Sequence, residues 1–227
     1  MCGRFDRHRA LADFTEAIEG LRLPGDDLLP GSYNIAPSQQ AAAVCASEEG
    51  PKLCSLQWGL VPGWARKEGL SRPINARAET VAEKPMFRES FKTGRCLVLA
   101  DGYYEWRSAA GSAKQPFYIT LENGAPFVMA GIWAKNTALA PNPIESFCLI
   151  TTDANASCKE VHHRMPLILH RDHHAKWLAG SKLTEDEAQS MLQPYPGGLR
   201  LTPVSRFVNS PANNSAECIR PMNNELL

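Results

Sequence analysis

The chain has 227 residues, 44% hydrophobic and 21% charged, the balance of an ordinary globular protein and enough for one large domain or two small ones. Lysine plus arginine and aspartate plus glutamate both number 24, so no global basic field announces a nucleic-acid partner, and any such surface has to be local. Seven cysteines, at 2, 45, 54, 96, 148, 158 and 218 with no CxxC pair, argue against a disulfide framework and against a zinc knuckle. Arg4, Asp6, Arg7 and Arg9 break any apolar run at the start, so no signal peptide or membrane span is expected and a reducing cytosolic setting fits.

Leu11, Phe14, Ile18 and Leu21 share one helical face and predict an amphipathic helix that ends near Gly20. A Pro/Gly-rich stretch follows, from Pro24 to Pro37. Residues 41–46 and 52–58 flank a Glu-Glu-Gly-Pro turn and read as a hairpin. Further strands are expected at 95–100, 116–121, 127–133 and 147–151, with Glu122-Asn123-Gly124 as a second hairpin turn. Helices are expected at about 78–92, 171–178 and 184–192, and a late strand at about 199–204. These elements predict one α+β domain over residues 1–227, with mostly antiparallel, barrel-like sheets and a few peripheral helices.

Four segments carry chemistry. Cys2 stands directly behind Met1, so loss of Met1 would leave a terminal cysteine with a thiol and an α-amine on adjacent carbons. Their pKa values, about 8.5 and about 7.7–8.0, make both reactive near neutrality. The amine condenses with an aldehyde to a Schiff base, and the thiol then closes a five-membered thiazolidine ring. A buried structural cysteine is the plainer alternative. In an extended segment 72–80, Asn75, Arg77 and Glu79 point to one side, with Asn75 as a hydrogen-bonding group and Arg77 as a phosphate contact; an exposed edge strand fits the same residue types.

Glu105 lies between aromatics at a strand end in Asp101-Gly102-Tyr103-Tyr104-Glu105-Trp106, where partial desolvation would raise its pKa toward an acid/base range. His162, in His162-His163-Arg164-Met165-Pro166, has the side chain suited to proton transfer near neutral pH. A metal site at His170, His173 and His174 is not expected, because no acidic or cysteine partner stands at ligand spacing and the helix there should be exposed.

In order, these segments resemble the SOS-response-associated peptidase (SRAP) family of abasic-site processing proteins. The resemblance runs essentially the full length. It is carried by Met1-Cys2-Gly3-Arg4-Phe5, Tyr33-Asn34-Ile35-Ala36-Pro37, the segment from Gln57 to Trp64, and Asn75-Ala76-Arg77-Ala78-Glu79-Thr80. It continues through Ala100 to Trp106, Pro116-Phe117-Tyr118, the 162–166 segment, and Pro203-Val204-Ser205 before Val208-Asn209.

The resemblance implies a monomer that binds single-stranded DNA and crosslinks covalently to abasic sites through Cys2, after Cys2 has released Met1 autocatalytically. It implies a catalytic set of Cys2, Asn75, Glu105 and His162, with no metal, cofactor or membrane partner. DNA contacts would come from Arg4, Arg77 and Arg164 to phosphates, and from Trp64, Pro37 and Met86 to bases. Ala65 stands where some members carry a second tryptophan, so one stacking platform is expected to be missing. The expected location is the cytoplasm, on the nucleoid in a bacterium.

An N-terminal-nucleophile glutamine amidotransferase also begins Met-Cys-Gly, but that class usually has an apolar residue where Arg4 stands, and its glutamine-pocket segments are absent. A non-catalytic single-strand binder is the third reading, and it has no need of a removable Met before a Cys.

Overall fold

The structure, a computed structural model, describes residues 2–15, 18, 20, 21, 29–67, 69–108, 113–179 and 183–222. Its strands are β1 (Phe5–Arg7), β2 (Ser32–Ile35), β3 (Gln40–Ser47), β4 (Gly50–Trp58), β5 (Asn75–Arg77), β6 (Arg95–Ala100) and β7 (Gly102–Arg107). They continue with β8 (Gln115–Leu121), β9 (Phe127–Asn136), β10 (Ile144–Asp153), β11 (Arg164–Pro166) and β12 (Leu199–Pro203). The α-helices are α1 (Arg88–Thr93), α2 (His174–Leu178) and α3 (Glu185–Met191).

The strands form two sheets. One runs β12-β8-β7-β1-β2; the other runs β11-β10-β4-β3-β6-β9, and a further β9–β10 pairing closes it into a ring. Most pairs are antiparallel, as expected, but β4 and β5 both run parallel to β10.

Ring strands are apolar on consecutive residues because both of their faces are covered. Leu97 and Leu99 of β6 join Val44, Leu53, Val128 and Ile150 in a core beneath Phe14, Phe91 and Trp177. Their neighbours Cys96, Val98 and Ala100 turn the other way, into a second core shared with Phe5, Tyr103, Phe117 and Cys2 from the other sheet. A strand buried on both sides loses the usual alternation of apolar and polar residues.

Several expectations change in the structure. The region 78–92 is broken into a short 3-10 turn at Ala78–Thr80 and α1. Pro85 lies between them, with no amide hydrogen to offer a continuous helix. The early helix is a 3-10 turn at Leu11–Phe14, although Leu11, Phe14 and Ile18 are buried as its pattern requires; residues 16, 17 and 19 lie outside the described ones. The turn at Glu122-Asn123-Gly124 forms, with the Gly124 amide donating to the Leu121 carbonyl at 2.9 Å. It carries the chain between sheets and so makes no hairpin. Within the Pro/Gly-rich stretch, residues 24–28 are not among those described, and Ser32–Ile35 is a strand whose four residues are too few to show a period.

Trp58 ties these layers together. It is fully buried, its ring meets Phe5 edge-on at 5.1 Å and stacks on Phe147 at 6.2 Å, and its Nε1 donates to the Ile74 carbonyl at 2.9 Å. Trp58→Ala should cost about 3–5 kcal/mol of stability. The check is the midpoint of denaturant unfolding, and a midpoint equal to the parent's would show that the ring is not needed there.

Candidate active site

β1 pairs with β7 through Phe5↔Tyr103 and Asp6↔Gly102, which brings the residues before Phe5 alongside β7. The Tyr104 amide continues the ladder by donating to the Arg4 carbonyl at 2.9 Å. Strand alternation sends Tyr103 and Glu105 to the side of the shared core and Tyr104 and Trp106 to the opposite side. Cys2 is wholly buried in that shared core.

Asn75 opens β5 and donates its Nδ2 hydrogen to the Cys2 carbonyl at 2.7 Å. Its Oδ1 is also buried and has no hydrogen-bond donor among the described residues, so an acceptor is left unsatisfied beside Cys2. Glu105 lies in the middle of β7 rather than at a strand end, and it is 4% exposed. Burial holds its carboxyl above the usual carboxylate range. Burial also pushes the Cys2 thiol well above its ordinary value, and the Glu105 carboxylate adds to that shift.

His162 ends the turn between β10 and β11 and is half-buried. Its Nδ1 accepts the Arg164 backbone N–H at 2.9 Å, so in the neutral ring the hydrogen sits on Nε2. Burial lowers its pKa and favours that neutral form. Its ring stacks on His163 at 4.4 Å, and His163 lies within electrostatic reach of Glu105. Cys2, Asn75 and Glu105 are thus brought together directly, and His162 joins them through its stacked neighbour.

The residues expected at DNA are placed unequally. Arg77 is exposed, and Trp64 is 48% exposed, an unusual setting for so large a ring. Arg4 is half-buried; its Nη1 donates to Asn34 Oδ1 at 2.8 Å and to the Val208 carbonyl at 2.9 Å, and its guanidinium lies 6.0 Å from the Trp106 ring centre. Arg164 is buried. It makes a two-pronged pair with Glu79 at 2.7 and 3.0 Å, meets Asp153 at 2.7 Å, and donates to the Thr151 carbonyl at 2.6 Å. Pro37 is half-buried, and Met86 packs against the core beneath the helices.

Asn34 escaped the sequence reading as a working residue. Its Nδ2 donates to the carbonyls of Val208, Ser210 and Asn213 at 3.2, 3.0 and 2.7 Å. The sequence marked it only as part of the Tyr33-Asn34-Ile35-Ala36-Pro37 motif.

Among the described residues, one cluster has the composition of a metal ligand set, Asp6, His8 and Asp101. Its groups are already engaged with one another and with their surroundings. His8 Nδ1 lies 2.5 Å from Asp6 Oδ2, Tyr118 donates to Asp6 Oδ1 at 3.0 Å, and Asp101 Oδ2 accepts the His8 and Arg9 amides at 2.8 and 3.0 Å. The cluster therefore reads as a fastening of β1. His174, expected on an exposed helix, is buried instead, with Nε2 3.2 Å from the Leu169 carbonyl. α2 packs its His174, Trp177 and Leu178 face inward.

The family model for the SOS response associated peptidase (SRAP) matches residues 1–211. The chain belongs to the SRAP family. The abasic site processing protein YoaM of Bacillus subtilis is 39% identical over 222 residues, 96% of this chain and 97% of that protein. YedK of Escherichia coli, also named an abasic site processing protein, is 33% identical over 98% of this chain and its own full length. A crystal structure of a protein from Bacteroides thetaiotaomicron superposes with a TM-score of 0.83 at 28% identity, over 96% of this chain and 100% of that one. No described helix of this SRAP protein is long and apolar enough to cross a membrane.

Burial pushes the Asp6 carboxyl up to about 7, and its hydrogen bond with Asp6 raises His8 as well. Both groups bind protons more tightly folded than unfolded, so the stability they contribute is present at low pH and lost as pH rises through about 7. Asp6→Asn should therefore flatten the fall in melting temperature as pH rises from about 4 to about 8. An undiminished slope in the variant would assign the pH dependence elsewhere.

Proposed function

We propose that this chain captures the ring-opened aldehyde of an abasic site in single-stranded DNA, through Cys2 after loss of Met1. The observation that carries the reading is the Asn75 hydrogen bond to the Cys2 carbonyl beside a buried Glu105. The names of the relatives, which call them abasic site processing proteins, support the substrate.

While Met1 is attached, the Cys2 nitrogen is an amide and cannot form an imine. Attack of the Cys2 thiol on the Met1 carbonyl would break that amide, move the acyl group to sulfur and leave a free amine. Water then hydrolyses the thioester and releases methionine. The raised thiol pKa makes a spontaneous thiolate rare, so a base is required, and Glu105 is the one beside it.

The same ordering governs aldehyde capture. The amine attacks first and loses water to give the imine. The thiol then adds across the C=N bond, its proton passing through Glu105 to the nitrogen, and the thiazolidine closes with no further loss of atoms. A Glu105 carboxyl poised above the usual range can both take and return that proton. His162 in its imidazolium form can donate its Nε2 proton to the sugar ring oxygen and promote ring opening, with Nδ1 lying 3.3 Å from the Arg164 carbonyl to hold the other hydrogen. Asn75 Oδ1 can accept from a sugar hydroxyl or from the imine nitrogen's proton. Arg77 supplies an open phosphate contact, and a base stacked on Trp64 would gain about 1–3 kcal/mol.

Mixed with abasic single-stranded DNA, the processed protein should give a denaturation-resistant adduct that Cys2→Ser and a Met1-retaining form do not. An adduct of equal yield from Cys2→Ser would remove Cys2 from the chemistry. His162→Ala should slow adduct formation severalfold or more, toward the about 10²–10⁴-fold worth of a positioned acid, while oligonucleotide affinity holds. Glu105→Gln should slow both formation and reversal; unchanged rates in both directions would exclude the proton shuttle.

A further inference from the structure

We infer that Asn155, together with the contact between Tyr103 and Cys158, is a positioning device that fixes His162 relative to Glu105. The inference rests on the reading of His162 as the proton donor. Neither Asn155 nor Cys158 belongs to the catalytic set, and no motif of the sequence drew attention to them.

His162 does not sit on a strand. It ends a turn that leaves β10 after Asp153 and re-enters the sheet at Arg164, with the Ala154 amide donating to the His163 carbonyl at 3.0 Å across its base. Inside the turn, the amides of Val161 and His162 both donate to the Cys158 carbonyl, each at 3.0 Å. Wherever Cys158 goes, His162 follows.

Cys158 is held from two directions. Its amide donates to Asn155 Oδ1 at 3.2 Å, while Asn155 Nδ2 donates to the carbonyls of Tyr195 and Gly197 at 3.0 and 3.3 Å. The Asn155 side chain therefore bridges the turn to the segment that leads into β12, and the turn cannot lift without breaking that bridge. From below, Cys158 Sγ meets the Tyr103 hydroxyl at 3.3 Å, with both residues buried. A phenol is the stronger donor of the two, so Tyr103 donates to sulfur.

Tyr103 stands two residues before Glu105 on β7 and faces the same core. The phenol–thiol contact thus couples the strand that carries the base to the turn that carries the acid. Displacing a catalytic group by about 1 Å can cost about 10²-fold in rate, so a small slack in this coupling would register in the chemistry before it registered in DNA affinity.

The test uses the processed full chain and an abasic single-stranded oligonucleotide, with three readouts: adduct rate, affinity for the undamaged oligonucleotide, and the pH–rate midpoint that disappears in His162→Ala. Asn155→Ala should slow the adduct by about ten- to hundredfold with affinity held. It should also move the midpoint upward, because a His162 released into solvent loses the burial that lowers its pKa. Cys158→Ala should slow the reaction in the same sense, and Cys158→Ser, which restores an acceptor for Tyr103, should recover most of the rate.

Parent-like rates and midpoints in both alanine variants would overturn the inference, as would a loss of affinity equal to the loss of rate. If Asn155→Ala fails to fold, the Cys158 pair and Tyr103→Phe decide the matter through the same readouts. A parent protein that forms no adduct, or a His162→Ala variant as fast as the parent, would instead strike the reading of the site itself.

Discussion

The structure depends on holding the start of the chain inside the molecule. β1 is three residues long, yet it is paired on both sides, with β2 and with β7, and its Phe5 is fully buried against Trp58. That enclosure gives the residues before it a fixed place. Without it Cys2 would sit on a fraying terminus, the least ordered part of most domains. With it, the Cys2 carbonyl meets Asn75 and the thiol lies under the field of Glu105. The rest of the site is built around that fixed point.

Enclosure also sets the electrostatics. A thiol, a carboxyl and a tyrosine share a space from which water is largely removed, and burial pushes all three toward their neutral forms. Neutral groups can lie side by side without paying for unpaired charge. Of the three, the Cys2 thiol is raised by burial and by the nearby Glu105 carboxylate together.

Much of this was legible in the sequence, and the reasons differ by residue. The hairpin of β3 and β4 showed itself through its turn, and the expected helix at 184–192 forms as α3, where a Thr184–Glu187 capping box begins it. The residues of the candidate site were named through ordered motifs, because nothing in their local pattern sufficed. What stayed hidden was the partner of each charge. Arg164 and Arg77 look alike as letters, but one is sealed into a pair with Glu79 and the other is open to solvent. Such a difference is decided by contacts across 85 residues of chain, which no local window contains. Asn155 was missed for the same reason, since its partners lie at Tyr195 and Gly197. The break at Pro85 was readable, and a continuous helix over 78–92 underweighted it.

The clasp of Asn34 and Arg4 on the carbonyls of Val208 to Asn213 has a bearing on how the molecule is made. Translation delivers Arg4 204 residues before Val208, so the strand that shelters Cys2 gains its outer fastening only after the strands between them have been made. A chain stalled on the ribosome before Val208 would hold its sulfur in an unfinished cradle. The order of manufacture therefore leaves the pocket around Cys2 open until the segments that enclose it exist.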